Sequence, residues 1–264
     1  MKLDSPAPVI VFAYCRHWHL EQTLKALSQA DGASESELWV FSDGAASSER
    51  TAEVLQVREL LHDQRWHKPF KKVHVIESDQ NKGLATSIVT GVSRVLDEAD
   101  RAIILEDDLI VSRDFLTFMN SALEFYENTR EVGSVTAYSP IKRAPNDYAH
   151  DVMLVPRSCS HGWATWRNRW KSVDWSGAGA ERIWQDKPLR RSFAAAGSDK
   201  IDRLRRRLEG KSKTWSILFN LWQTLDDRMT IYPVHNRVQN IGYDGSGENS
   251  GINQSMHTEI ERTQ

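Results

Sequence analysis

Three consecutive acids, Glu106, Asp107 and Asp108, close the apolar run AIIL and are followed at once by a second run, LIV. Ionised carboxylates are costly to bury unless paired or bound to a metal, so the trio belongs where a strand leaves the core and a cation waits. Hard divalent ions such as Mg²⁺ and Mn²⁺ prefer carboxylate oxygen and are commonly held by one or two acids together with substrate phosphates. Asp107 and Asp108 could also merely end a strand and cap the next turn. What favours metal ligation is the company they keep at three other points of the chain.

That company is set by the elements that must position the acids. PVIVFAY (8–14) reads as a strand, with Leu20, Leu24 and Leu27 following at helical spacing. ELWVFSDG (37–44) repeats the plan: a strand, then Ser47 or Ser48 as a cap, then a helix with Val54, Val57 and Leu61 on its apolar face. KVHVIESD (72–79) is a third strand, and Leu84, Ile88, Val92 and Val95 stripe a third helix. RAIILEDD is the fourth strand, Ser112 is positioned to cap the helix after it, and GSVTAYS (133–139) is a fifth strand. Strands about thirty residues apart, each followed by a helix, require βαβ crossovers and a largely parallel sheet. Ligands of such sheets bind beyond the carboxyl ends of the strands. There the chain reads Tyr14-Cys15-Arg16, Ser42-Asp43-Gly44, Ser78 to Gly83, and Glu106-Asp107-Asp108. No GxGxxG follows the first strand and no P-loop is present, which argues against a dinucleotide-binding domain.

The 264 residues are 40% hydrophobic and 27% charged, with a formal net charge of -2, as expected of one large soluble domain. Near-neutral charge argues against a nucleic-acid binder, whose affinity rests on clustered Lys and Arg. Cys15 and Cys159 show no metal or disulfide spacing, and no secretory or transmembrane stretch stands out, so the expected compartment is a reducing cytosol. Seven of the ten tryptophans lie from Trp163 onward. Such residues serve the core or offer stacking surfaces for flat apolar faces.

Together PVIVFAYCR, FSDG, NKGL, ILEDDLIVSRDFL, HGWATWRNRW and NIGYDGSG resemble the GT-A-fold glycosyltransferases, specifically bacterial family 2-like enzymes. More distantly they are similar to the eukaryotic N-acetylglucosaminyltransferase I, which has its own Glu-Asp-Asp strand end. The resemblance runs from about Pro8 to about Asn249. It implies that Arg16 and Asp43 hold the nucleotide, Asp43 at the uracil edge, with Lys82 near the nucleotide or its phosphates. It implies that Glu106 and Asp107 contact ribose or donor sugar and that Asp108 ligates Mn²⁺ or Mg²⁺. The ion would neutralise the diphosphate leaving group as its bond to the sugar breaks. His161 and Gly162 resemble the glycine-containing turn that lines the donor-sugar pocket, while the spacing of Trp163, Trp166 and Trp170 predicts one stripe of a helix starting just after Gly162.

One position departs from the pattern. The resembling enzymes place an Asp beside a Trp near the start of a late helix as the base that takes the acceptor's proton. Here KTWSILFNLW (213–222) puts Ser216 in that place, and a lone hydroxyl is a poor base. Asp244 is the preferred substitute, with Glu248 and Asp174 as alternatives. NIGYDGSGENSG (240–251) is dense in glycine and reads as a loop able to close over the donor diphosphate and exclude water. Residues 181–213 are rich in Arg and Lys, with Ile201, Leu204 and Leu208 forming a thin apolar stripe. A basic amphipathic helix of this kind can touch an anionic membrane or a lipid-linked acceptor through 190–213, although such a run is more often a solvated face.

The expected architecture is therefore α/β: a GT-A-type, Rossmann-like, mostly parallel sheet flanked by helices, with a helical, Trp-rich acceptor-side region. Residues 1–140 would bind the nucleotide-sugar, 141–252 would form the acceptor side of the same domain with its closing loop, and 253–264 a flexible tail. The expected function is metal-dependent transfer of a sugar, UDP-linked by preference and with inversion, to a hydroxyl of a glycan or lipid-linked saccharide. The expected place is the cytoplasm, with a peripheral place at the inner face of the membrane as the alternative. Alternatives are a sugar-1-phosphate nucleotidyltransferase, or a glycan- or nucleotide-binding module that has lost catalysis.

Overall fold

A computed structural model of the chain describes residues 6–141, 145, 147–247 and 260. Four parallel strands occupy one half of its large sheet: β1 (Val9–Ala13), β2 (Glu37–Ser42), β3 (Lys72–Glu77) and β4 (Arg101–Glu106). β1 lies between β2 and β4, so that Val11 faces Val40 on one side and Leu105 on the other. The sheet continues through β6 (Val132–Thr136), β7 (Val152–Val155), β8 (Trp163–Trp166) and β9 (Met229–Pro233), in the spatial order β3-β2-β1-β4-β8-β6-β9-β7. A separate ribbon pairs β5 (Leu109–Val111) antiparallel with β10 (Val238–Asn240). Strands from both halves of the chain share one sheet, and residues 253–264 fall outside the described residues apart from Ile260.

The connections between the parallel strands are helical, as crossovers demand. They are α1 (His17–Ser28), α2 (Thr51–His62) and α3 (Leu84–Glu98), and α4 (Phe115–Phe125) follows β5. Leu20, Leu24 and Leu27 of α1, Val57 and Leu61 of α2, and Phe115 and Met119 of α4 cover one face of the sheet. Ile88, Val92 and Val95 of α3 cover the other, and Ile103 and Ile104 of β4 divide between the two layers. Leu84 does not join that stripe: it is exposed at the first turn of α3. Neither helix is capped as expected. A short turn, Ser48–Arg50, precedes α2, and the Ser112 hydroxyl binds Asp114 at 2.6 Å, leaving only its carbonyl to receive the Phe115 N–H.

The second half departs most from the sequence reading at the tryptophans. Trp163 and Trp166 are the two ends of β8, which pairs with β4 and β6; only the following α5 (Arg167–Lys171) is helical. Strand geometry sends the two rings to opposite faces of the sheet, Trp166 into the layer of α1 and α4, Trp163 into the layer of α3. The spacing of three matched a helix, but partners far along the chain decide the strand. Trp163 then stacks on Trp215 with centroids 5.0 Å apart, and Trp170 and Phe219 complete that cluster. Beyond it lie α6 (Glu181–Gln185), α7 (Lys187–Ala195), α8 (Lys200–Leu208) and α9 (Ser216–Leu225). Ile183, Phe193 and Leu204 bury against Ile217, Leu218 and Leu221 of α9. Among the described residues, no helix is long and apolar enough to cross a membrane.

Candidate active site

The ends of β1, β2 and β4 open into one cleft, lined among others by Tyr14, Arg16, Asp43, Leu84, Glu106, Asp107 and Asp108. β4 carries the acids out of the core and β5 turns the chain back, so Asp107 and Asp108 sit in a tight turn and are themselves buried. Arg16, just before α1, reaches across to both: it donates to Oδ1 of Asp107 and, at 2.8 Å, to Oδ2 of Asp108. Burial alone would lower the Arg16 pKa, but Asp107 and Asp108 outweigh it and hold the guanidinium charged.

One cation does not balance three acids. Burial, then Asp108 and Asp107, push Glu106 up to about 8. Burial also raises Asp107, against the pull of Arg16. Both shifts come first from burial and then from neighbouring carboxylates, and a divalent ion beside these groups would oppose them. Oδ1 of Asp108 is buried without a hydrogen-bond partner among the described residues, an arrangement that is costly unless another ligand completes it. Carboxylate oxygen is the donor that Mg²⁺ and Mn²⁺ prefer, so this atom fits such an ion. Among the described residues, no group of three or more His, Cys, Asp or Glu side chains could hold a metal by itself. An ion at Asp108 would complete its shell from substrate phosphates and water.

The other rim residues divide into two kinds. Asp43 is buried and spends its carboxylate on backbone: it accepts the N–H groups of Gly44, Lys82 and Gly83, each at 2.9 Å. It thereby fixes the loop before α3 against the end of β2. Lys82 is exposed and stands outside the cleft lining, where its neighbours Asn81, Gly83 and Leu84 take part. His161 lies behind the acids, its ring edge-on to Tyr138 and its Nε2 3.5 Å from the Tyr243 hydroxyl. Burial lowers its pKa although Asp108 opposes this, so the imidazole is neutral at pH 7. Gly162 has φ +60°, and a side chain there would meet the Phe115 ring at 3.2 Å. The glycine thus answers a left-handed turn packed on the core.

A roof over the acids comes from the glycine-rich segment. The Ile241 N–H donates to the Asp108 carbonyl at 2.9 Å, and a Cβ on Gly242 would lie 2.1 Å from Oδ2 of Asp108 and 2.7 Å from the Arg16 guanidinium. Only glycine permits that approach. Asp244 secures the segment to α1 by a 3.1 Å contact with Nε2 of His19, and also accepts from the N–H and hydroxyl of Ser246. The Ser246 hydroxyl bond and its companions hold Asp244 below the ordinary carboxylate range. Ser216 opens α9 with its hydroxyl 3.1 Å from Thr214 Oγ1 and within 3.3 Å of the Arg203 guanidinium. Asp174 is committed to a turn through Ser176 and Ala178, and Glu248 lies outside the described residues. Tyr243 and Gly242 had no signal in the sequence beyond the composition of NIGYDGSG, and His19 had none, because each acts through a partner far along the chain.

The chain is similar to solved structures of TarS from S. aureus: 12% identity and TM-score 0.49 over 88% of this chain and 36% of that one, and in a 1–349 form 10% and 0.46 over 88% and 59%. It is also similar to the glycosyltransferase GlyE of Streptococcus pneumoniae TIGR4, at 14% identity and TM-score 0.42 over 86% of this chain and 45% of that one. The chain therefore spans between about a third and three fifths of the length of these structures. No curated protein matches it. The family model for glycosyl transferase family 2 matches residues 9–185, a span that starts at β1, contains the whole acidic turn and runs on to the end of α6; with more than half its length so matched, the chain belongs to glycosyl transferase family 2.

Proposed function

We propose that the chain transfers a sugar from a nucleotide-sugar donor, UDP-linked by preference, to a hydroxyl of a glycan or lipid-linked saccharide, with inversion and with the help of Mn²⁺ or Mg²⁺. The observation that carries this reading is the unpartnered Oδ1 of Asp108 beside two acids of raised pKa. The ion would supply Lewis-acid neutralisation of the departing diphosphate. Arg16 adds a fixed positive charge at the same point, pre-organised by its two acidic partners. Asp43 keeps the Lys82–Gly83 backbone in place for the nucleotide, and exposed Leu84 offers an apolar surface for the base. The roof from Ile241 to Gly247 excludes water that would otherwise hydrolyse the donor.

Inversion requires a group that takes the acceptor proton as its oxygen bonds the anomeric carbon and the diphosphate leaves. We assign this to His161 in preference to Asp244. A neutral imidazole is ready to accept a proton at pH 7, whereas Asp244 is held below the ordinary carboxylate range and is bound to His19 and Ser246. The hydroxyl of Ser216, beside a guanidinium, is no base. That same contact favours a second reading, a binding module that has kept the donor cleft and lost turnover. A cytoplasmic place fits a nucleotide-sugar donor and the two free cysteines, Cys15 and Cys159.

Thermal melting with a panel of nucleoside diphosphates, with and without Mn²⁺, tests the donor assignment, because a ligand of the folded state raises Tm by mass action. A Mn²⁺-dependent rise with UDP is expected. No rise with any nucleotide would remove the donor reading. A rise without any hydrolysis of UDP-sugars would leave the binding module.

A further inference from the structure

The helices that wall the acceptor side carry a charge that the rest of the chain does not. Residues 181–213 contain eleven Lys and Arg against five Asp and Glu, a net of +6 in a chain whose net charge is -2. Their apolar side is already spent, since Ile183, Phe193 and Leu204 are buried against α9. The outer side of α7 presents Lys187, Arg190 and Arg191, that of α8 presents Arg206, and the loop to α9 presents Lys213, all exposed. Among the described residues none of these five takes part in an ion pair. Amid them stand two exposed apolar side chains, Trp184 at 37% and Leu208 at 42%, with the Arg205 guanidinium 5.8 Å from the Trp184 ring.

A surface of unpaired long cations with an indole and a leucine between them matches an anionic bilayer better than a soluble polyanion. Lys and Arg gain from anionic headgroups within a Debye length, while Trp prefers the headgroup boundary. Arg203 of α8 touches Ser216, the first residue of α9 and the position at which the resembling enzymes carry their base. We propose that the outer face of α7 and α8 docks on an anionic lipid bilayer and brings a lipid-anchored acceptor to the site. The docking stands on charge and exposure alone; the acceptor rests on the transferase reading above. Because no apolar stripe remains to insert, the attachment is reversible and salt-sensitive.

Vesicle sedimentation of the full chain tests this without donor or turnover. Vesicles of phosphatidylcholine with 30% phosphatidylglycerol are expected to pull down the protein at 50 mM NaCl, pure phosphatidylcholine vesicles are not, and 0.5 M NaCl is expected to release it. The variant R190E/R191E/R205E/R206E is expected to bind anionic vesicles at least tenfold less, and W184A/L208A a few-fold less. Both should keep the Tm and the UDP–Mn²⁺ response of the parent, which separates lost docking from lost folding or a lost donor site. Equal sedimentation with neutral vesicles, or none with anionic ones, would overturn the proposal. So would binding of a DNA duplex at the same salt without vesicle binding, which would make the patch a site for soluble polyanions.

Discussion

Among the described residues, Arg16 is the one cation paired with Asp107 and Asp108, beside Glu106, while in the helical half Arg157 and Arg203 both pair with one anion, Asp199, and Lys200 is buried next to them. The two clusters are opposite in sign and were assembled differently. The acids sit at the end of a central strand buried on both faces, so backbone geometry fixes them before any ligand arrives. The cations lie on α8 and on the segment after β7, where Arg157 grips Asp199 through two bonds of 2.7 and 2.8 Å and holds its pKa far down. The acidic cluster leaves an oxygen atom, Oδ1 of Asp108, without a hydrogen-bond partner among the described residues. The basic cluster occupies both oxygens of its one acid with arginine and keeps its third cation, Lys200, buried. A fold can thus keep its reacting end on rigid strands and let helices decide what approaches.

The largest expected effect falls on the acidic side. Asp108→Ala is expected to lower kcat on the order of 10³-fold, by removing the metal ligand and with it the stabilised leaving group. Its Tm should not fall, because the substitution also removes a buried, partly unsatisfied charge. Unchanged turnover in Mn²⁺ would sever the acids from catalysis and leave the two clusters as unrelated structural devices. His161→Gln comes next: the amide can still meet the Tyr243 hydroxyl but cannot take a proton, and kcat is expected to fall about 10²-fold with donor binding unchanged. Loss on Asp244→Asn with none on His161→Gln would reverse that assignment.

Gly242→Ala tests how tightly the roof is fitted. A methyl group there would press on Asp108 and Arg16, so UDP–Mn²⁺ binding is expected to weaken about tenfold, roughly 1.4 kcal/mol, as read by calorimetry. Wild-type affinity in this variant would mean that the roof lifts freely and is no part of the donor site.

The acidic half was legible because its signals are local. Strands covered on both faces read as unbroken apolar runs, and VIVFA, ELWVFS and RAIILE are such runs. A charge at the end of such a run marks the rim without further information. The helical half failed where pairing is remote. Trp163 and Trp166 obey a helical spacing, yet β4 and β6 recruit them into a strand. The three-residue strands β5 and β10 are too short to show any period, and their pairing, which hangs the roof over Asp108, depends on contact between distant segments. The partnerships of His19 with Asp244 and of Arg203 with Ser216 are invisible for the same reason. The basic helix is amphipathic as its spacing predicts, but Leu204 of its apolar stripe belongs to the core with Ile201 packed against it, while Leu208 stays exposed among the outward-facing charges.

An effect on stability alone, separate from donor binding and turnover, lies in the basic cluster and follows from Lys200. This lysine is 1% exposed, donates to the Pro156 carbonyl at 3.2 Å and lies 4.4 Å from the Phe193 ring centre, with no carboxylate in ion-pair contact among the described residues. Burial, and then Arg157, lower its pKa from 10.5 to about 8. The unfolded chain therefore binds this proton more tightly between pH 8 and 10.5, and stability gained from this group rises with pH through that window. Below pH 8 the buried charge costs the fold up to about 3 kcal/mol. Cys159 acts in the opposite sense, since burial raises its pKa to about 11 and the folded state keeps that proton longer. The informative quantity is thus the difference between wild type and Lys200→Met. Urea unfolding should show the variant more stable at pH 7, by an amount that shrinks as the pH approaches 10. A difference independent of pH would mean that Lys200 binds its proton equally in the folded and unfolded chain, so that its burial beside Arg157 leaves its charge undisturbed.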